Sequence, residues 1–440
     1  MENMPRPQII RVCDGVNLRV ICTDRFKSVR MGIYFILPAD KENAPVFTLL
    51  RGVLMRGCEK YPSIERLNIA LDELYGTTVT MRNFLDGDRQ VISFNCEMLD
   101  PRYASFDGDD GADILGGTLD VLRQLLLYPI LEDGLLRRDI VEREKEYLCD
   151  TIRDELSDTG AYAKEKFRKA MCDGEPYGVS LLGEVDYVKS ITPERLTQGW
   201  KDLLSDAAVE MFYVGSEGRE IVECAMHTAF DNTTIFAPRK SKICNSLVHK
   251  SSEKPRMITE DKPITQSKLI LGWRYESEIN LFDYCATVVL CELFGVMQSS
   301  VLYTNIRERM GICYYCGASL EPSKWILSVS CGIDSTKMRL VSSEIMRLFK
   351  EIQLGALSDD ILTLARRSLE NYLRQLPDGA GAMEGFYLAR AFEGGERENI
   401  TPSDFFGMIN KVTRDDVIRV AKGFYIDTVY FLNATETDGE

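Results

Sequence analysis

Val29-Arg30-Met31-Gly32-Ile33-Tyr34-Phe35-Ile36-Leu37 leads through a polar break into the helical stretch Ala44 to Leu54, and the chain writes this order twice. The echo is Lys268-Leu269-Ile270-Leu271-Gly272-Trp273, a second polar break, and the helical Phe282 to Phe294. A second pair of segments predicts long helices: one run opens at Leu131-Glu132-Asp133 and ends at Glu146-Tyr147-Leu148. Its counterpart opens at Leu357-Ser358-Asp359-Asp360 and ends at Asn371-Tyr372-Leu373. Acidic and hydroxyl residues at both starts suit helix N-termini. The third pair closes each half. Ile191-Thr192-Pro193-Glu194-Arg195-Leu196 starts a capped helix with Pro193 at its first position, then reaches the apolar strand Val209 to Val214. Val412-Thr413-Arg414-Asp415-Asp416-Val417 leads likewise to Thr428-Val429-Tyr430-Phe431-Leu432. Three pairs in one order predict a duplicated domain.

Hairpins are expected inside each half. Thr77 to Met81 and Gln90 to Phe94 flank the turn Asp86-Gly87-Asp88, while Cys313-Tyr314-Tyr315-Cys316 precedes Trp325 to Ser330. The fold class is therefore α+β: two homologous domains, each a mainly antiparallel sheet covered by helices on one face, forming a bowl-shaped subunit. The expected boundaries are 1–232 for the first domain, 233–265 for an aperiodic linker, and 266–440 for the second domain.

The 440 residues suffice for two ordinary cores, and 45% hydrophobic with 28% charged residues excludes a disordered or fibrous chain. A net charge of −15 argues against nucleic acid as partner, there being no basic surplus to neutralise phosphates. It suits solubility first, and a chamber that attracts basic peptides second. No apolar run approaches the length of a membrane span, and the start Met1-Glu2-Asn3-Met4-Pro5 is no signal peptide. Thirteen cysteines without a repeated spacing read as reduced thiols of a cytoplasmic protein.

The order of elements resembles the pitrilysin and insulinase family of inverzincin peptidases, in its short bacterial branch similar to processing peptidase subunits. That resemblance covers essentially the whole chain. Such enzymes carry H-x-x-E-H on the first helix: two histidines one turn apart clasp zinc, the glutamate activates water, and a later helix supplies a further glutamate ligand. Here the helix reads Phe47-Thr48-Leu49-Leu50-Arg51-Gly52-Val53-Leu54-Met55-Arg56-Gly57-Cys58. The family register puts Thr48 and Gly52 at the histidine positions and Arg51 at the general base. Glycine has no ligand atom, and arginine is a fixed cation that accepts no proton. On the later helix Glu144 keeps the first acidic position, whereas the ligand position falls on Thr151, or on Asp150 if the register shifts. His227 and His249, the only histidines, have no ligand spacing. No metal is expected on this chain.

In the resembling enzymes the second domain offers an arginine at a helix end and a tyrosine seven residues later on a strand. Both are donors suited to a substrate carbonyl and its oxyanion. Arg307 and Tyr314 stand at that spacing with Gly311 between them, although Val301 replaces a frequent arginine. Without the family pattern, Tyr314 reads equally as a sheet aromatic and Arg307 as a solvated helix residue. The resemblance implies a zinc-less subunit of a heterodimeric peptidase, which lends Arg307 and Tyr314 to a peptide bound at the zinc of a homologous partner. The competing readings are a non-catalytic scaffold and a peptide-binding homodimer. Three lesser signals read blandly. Cys313 and Cys316 should face opposite sides of a strand. The segment Gly379 to Gly385 reads as a loop between helices, and Asp107 to Gly111 as a solvated acidic loop.

Overall fold

The computed structural model describes residues 4–104, 113–239, 255–275, 277 and 279–435. In the first half β1 (Gln8–Cys13), β2 (Val16–Cys22) and β3 (Ser28–Pro38) precede α1 (Asn43–Leu54) and α2 (Ile64–Glu73). The hairpin β4 (Thr78–Asp86) and β5 (Arg89–Leu99) leads to α3 (Ile114–Leu127) and the short ribbon β6 (Leu131–Glu132) and β7 (Leu135–Leu136). Then come α4 (Arg138–Arg153), α5 (Thr159–Met171), α6 (Val185–Ser190), α7 (Pro193–Asp206), β8 (Ala208–Gly215) and α8 (Arg219–Phe230). The second half runs β9 (Arg256–Lys262), β10 (Ser267–Tyr275), α9 (Leu281–Cys291), two π-helical segments (Glu292–Val296 and Tyr303–Arg309), β11 (Cys313–Glu321) and β12 (Ile326–Ile333). It ends with α10 (Met338–Gln353), α11 (Asp359–Gln375), α12 (Ala380–Glu393), α13 (Pro402–Ile409), α14 (Arg414–Gly423) and β13 (Phe424–Ala434).

The duplication is complete at the level of strand order. The first sheet runs β1-β2-β8-β3-β5-β4 and the second β11-β12-β10-β13-β9. Reversed, the second matches the first from β2 onward, including one parallel pair in each sheet, β2 with β8 and β9 with β13. All three repeated segment pairs fall on equivalent elements. Two local readings differ. The run from Leu131 first turns back as β6–β7 around Asp133 and Gly134, both at positive φ, so the helix starts only at Arg138. The expected linker holds the edge strand β9, whose outward-facing alternate residues hide the strand pattern behind a polar composition.

Strands β3 and β8 are buried along almost their whole length, so both faces of the first sheet are covered. One face carries its own helices, with Phe35, Phe94, Leu50 and Leu122 in a single core. The other face packs against α12 of the second half, where Phe212, Ile36 and Tyr34 meet Met383, Phe386 and Tyr387. The second sheet answers in kind: α5 of the first half lays Tyr162, Phe167 and Met171 against Ile270, Ile326 and Tyr430. The halves thus exchange one helix each. The segment Gly379 to Gly385, expected as a loop, is the start of α12. Small residues there let the helix approach the strand: a Cβ on Gly381 would stand 3.3 Å from Arg30 Nε. Central glycines complete the fit. A Cβ on Gly32 would strike the Glu384 carboxylate, and one on Gly272 would stand 2.5 Å from Phe167 Cζ and 2.6 Å from Met171 Sδ.

Charges buried at the seam are paired, as low dielectric demands. Lys324 Nζ lies 2.8 Å from Asp88 and 2.9 Å from Glu175, and Arg274 Nη2 lies 2.6 Å from Glu175. Arg19 joins Glu210 at 2.7 Å and Glu398 at 2.6 Å, tying the first sheet to the second half. Tyr34 O–H donates to Glu384 at 2.8 Å, and Arg30 pairs with the same carboxylate. Glu321 sits beside Asp86, Arg89, Ser323 and Tyr177, whose O–H donates to it at 3.1 Å. Burial, then the Asp86 charge, push its carboxyl up to about 7.

Gly272→Ala should destabilise the protein by about 1–3 kcal/mol through overpacking against α5. Gly385→Ala, on the open side of α12, should stabilise by roughly 0.5–1 kcal/mol; calorimetry on the two variants distinguishes seam packing from helix propensity. Because the folded Glu321 carboxyl is raised above its ordinary value of 4.5, it holds its proton longer folded than unfolded. Its contribution is therefore present at acid pH and lost as pH rises from about 4.5 to about 7, up to roughly 3 kcal/mol. Glu321→Gln should flatten that part of the stability profile, and an unchanged slope in denaturant titrations would contradict the assignment.

Candidate functional site

Helix α1 packs against α4, and the residues in the ligand register occupy that seam. Thr48 is buried. Its hydroxyl lies 3.1 Å from the Ala44 carbonyl and also meets the Leu181 carbonyl, while Asn83 Nδ2 donates to it at 2.7 Å. Gln90 Nε2 extends the chain by donating to Asn83 Oδ1 at 3.0 Å. This is a neutral hydrogen-bond network, with no anion or imidazole to attract a cation.

Gly52 is overlain by Glu144 of α4, whose carboxylate stands where a Cβ would project. Glu144 is buried and its charge is met by an ion pair with Arg56, one turn beyond Gly52. Arg51 lies half-buried on the same helix, and its Nε has no hydrogen-bond partner among the described residues. Thr151 is exposed and its hydroxyl donates back to the Tyr147 carbonyl at 2.9 Å, a bond that competes with outward ligation. Asp150, the alternative in a shifted register, is exposed and pairs with Arg153 at 2.7 Å. Among the described residues no cluster of three or more His, Cys, Asp or Glu side chains could hold a metal ion. His227 sits on α8 and meets Asp231 at 2.7 Å, an ordinary i,i+4 helix contact. His249 and the acidic loop Asp107 to Gly111 lie outside the described residues.

The second pair of residues is arranged differently. Arg307 lies in the last turn of the π-helical segment Tyr303–Arg309, with its guanidinium 4.8 Å from the centre of the Tyr303 ring. Gly311 makes the turn at φ 60°, a conformation glycine adopts freely. Tyr314 follows on β11, an edge strand, and is 69% exposed. Arg307 and Tyr314 are both exposed, and neither has an ion pair or hydrogen bond to a described residue. The ladder between β11 and β12 slips between Cys313 and Tyr315, leaving Tyr314 as the extra residue of a β-bulge. Bulges re-aim side chains. The same slip corrects the expectation for Cys313 and Cys316, because alternation fails across it: Cys313 stands opposite Ile333 and Cys316 opposite Cys331, so the two share a face.

Sequence reading missed the Arg56–Glu144 pair and the Thr48–Asn83–Gln90 network. Both join side chains on separate elements, which residue pattern alone does not bring together. Two duplicated sheets of this order are combined with a first-helix seam that gathers no metal-ligand cluster among the described residues.

Comparison with known proteins carries the assignment further. Residues 190–369 match the model of the Peptidase M16 inactive domain. The chain is 27% identical over 422 residues to the probable inactive metalloprotease YmfF of Bacillus subtilis, covering 96% of each chain. Among solved structures it superposes on a conserved protein from Enterococcus faecalis with a TM-score of 0.87 at 23% identity, covering 99% of this chain and 100% of that one. An M16 inactive-domain structure from Pseudomonas fluorescens gives 0.77 at 16% identity over 99% and 100% of the two chains. The family match is thus to the Peptidase M16 inactive domain over residues 190–369, and the fold of the whole chain is that of these solved structures. No helix among the described residues is long and apolar enough to cross a membrane.

Removing Arg56 should leave Glu144 buried without a counter-charge. Arg56→Leu is expected to cost roughly 2–4 kcal/mol, less than a fully buried pair because Arg56 is partly solvated. Arg56→Leu with Glu144→Leu should recover most of that loss; a double-mutant cycle on thermal unfolding reads the coupling.

Proposed function

We propose that this chain is the zinc-less subunit of a two-subunit peptidase, acting on peptides bound at the metal of a homologous, zinc-bearing partner. Arg307 and Tyr314 would reach the substrate carbonyl and stabilise its oxyanion there. The observation that carries the reading is a contrast: the Thr48 and Thr151 hydroxyls are hydrogen-bonded, Gly52 is covered by Glu144 and Arg51 is a fixed cation, whereas Arg307 and Tyr314 are exposed and make no ion pair or hydrogen bond to a described residue. A guanidinium at a helix end and a phenol on the edge strand after it are donors that suit a developing negative charge. The cytoplasmic assignment rests on the cysteines, of which the twelve described are all unpaired thiols.

Reconstitution tests the division of labour. The chain alone should hydrolyse no peptide, and mixing it with its zinc-bearing homologue should generate activity. Arg307→Ala and Tyr314→Phe should each lower kcat by roughly 10²-fold while leaving co-elution of the two subunits intact. Full activity of the homologue by itself, or variants that match the native pair, would leave a scaffold role in its place.

A further inference from the structure

Strands β11 and β12 bring three sulfurs into one line at the edge of the second sheet. Cys316 and Cys331 are directly opposed across the ladder, with their Sγ atoms 2.9 Å apart, and both are buried. The bulge at Tyr314 turns Cys313 onto the same face as Cys316: it stands opposite Ile333, and Cys316 stands opposite Cys331, two residues earlier on β12. Cys313 is only half-buried, so the line runs from solvent to core. Opposed residues of an antiparallel ladder have Cα atoms about 4.5–5.5 Å apart, within the span of an unstrained disulfide. Peptide-bond geometry therefore demands no backbone movement for a Cys316–Cys331 bond.

We propose that Cys313, Cys316 and Cys331 form an oxidisable three-thiol relay, in which Cys313 takes the oxidising equivalent from a peroxide and passes it inward to a Cys316–Cys331 disulfide. The Cys313 thiol gives up its proton and the thiolate attacks hydrogen peroxide; the O–O bond breaks to give the sulfenic acid and hydroxide, which takes up that proton as one water. The Cys316 sulfur attacks the Cys313 sulfur, its proton leaves with the hydroxide as a second water, and a Cys313–Cys316 bond forms. Cys331 then attacks the Cys316 sulfur; the Cys316–Cys331 bond forms as Cys313 departs, taking up the Cys331 proton. In sum two thiols lose two electrons and two protons, and one peroxide becomes two waters.

The electrostatics set the pace. The hydrogen bond to Cys316 and burial push the Cys313 thiol up, and Arg307 only partly opposes them. At Cys316 the hydrogen bond from Cys313 lowers and that with Cys331 raises; with burial the net direction is upward. Oxidation should therefore be slow at neutral pH and accelerate as pH rises, since the thiolate is the nucleophile. The relay is independent of the subunit reading, because its product is a covalent bond within this chain.

Treatment of the intact chain with hydrogen peroxide, followed by blocking of free thiols and peptide mapping, tests the proposal. A Cys316–Cys331 bond is expected in the native protein. Cys313→Ser should slow its formation by at least about tenfold, and Cys331→Ala should stop the relay at Cys313–Cys316. The exposed Cys224 on α8 serves as the internal control for oxidant delivery. Absence of any bond among the three sulfurs once Cys224 is oxidised would overturn the site. Equal rates in native protein and Cys313→Ser, or no Cys313–Cys316 bond in Cys331→Ala, would overturn the relay order.

Discussion

Two missing Cβ atoms set the terms for this molecule. Gly32 in β3 and Gly272 in β10 sit at equivalent places in the central strands, and each admits a helix from the opposite half. With a larger residue the helix would stand off the sheet, exposing the strand faces that are now buried against it. Burial at that interface is apolar on both sides, with Phe212 and Phe386 on one seam and Phe167 and Ile270 on the other. At roughly 25 cal/mol per Å² of apolar surface, such exchanged helices contribute far more than any single ion pair at the seam. The ion pairs have another task. Lys324, Glu175, Arg274 and Asp88 connect strand ends, a turn and the end of α5, and a buried charge tolerates few alternative partners. Apolar packing holds the halves together; the charges fix their register.

Against that rigid frame, the seam between α1 and α4 is closed by paired and hydrogen-bonded side chains. The helix pair α1 and α4 still faces across Glu144, and Arg56 supplies the cation that this carboxylate requires. Thr48 is satisfied by Asn83 and backbone carbonyls, so the loss of a ligand leaves no orphaned polar group at that position. The site is closed by hydrogen bonds rather than left as a cavity.

Much of this fold was legible before any coordinates. The near-continuous apolar runs in β3 and β10, and the repeated order of strand, break and helix, followed from residue pattern alone. The glycines inside those runs were visible as well, but their purpose lies in helices far away in sequence, which periodicity does not report. The same limit hid the identity of Gly379 to Gly385. Glycine and alanine in a row resemble a loop, and only the strand they approach explains them as a helix start. Strand β9 was concealed because an edge strand with one solvated face is polar in composition. For the candidate site, the spacing of Arg307 and Tyr314 was sufficient to locate both, since the helix end, the Gly311 turn and the strand are all local. The bulge at Tyr314 was not legible, because a ladder slip depends on the partner strand.

That bulge joins features the sequence kept separate. An unbroken β11 would place Cys313 and Cys316 on opposite faces and alternate Tyr314 with Tyr315. One extra residue in the ladder instead frees Tyr314 to solvent and gathers the sulfurs on the core side. The exposed phenol and the buried thiols are thus two consequences of one backbone irregularity. Any change that regularised the ladder would alter both together, since no other element holds Tyr314 in place: its side chain is without a hydrogen bond to any described residue. The position of this phenol is set by backbone register.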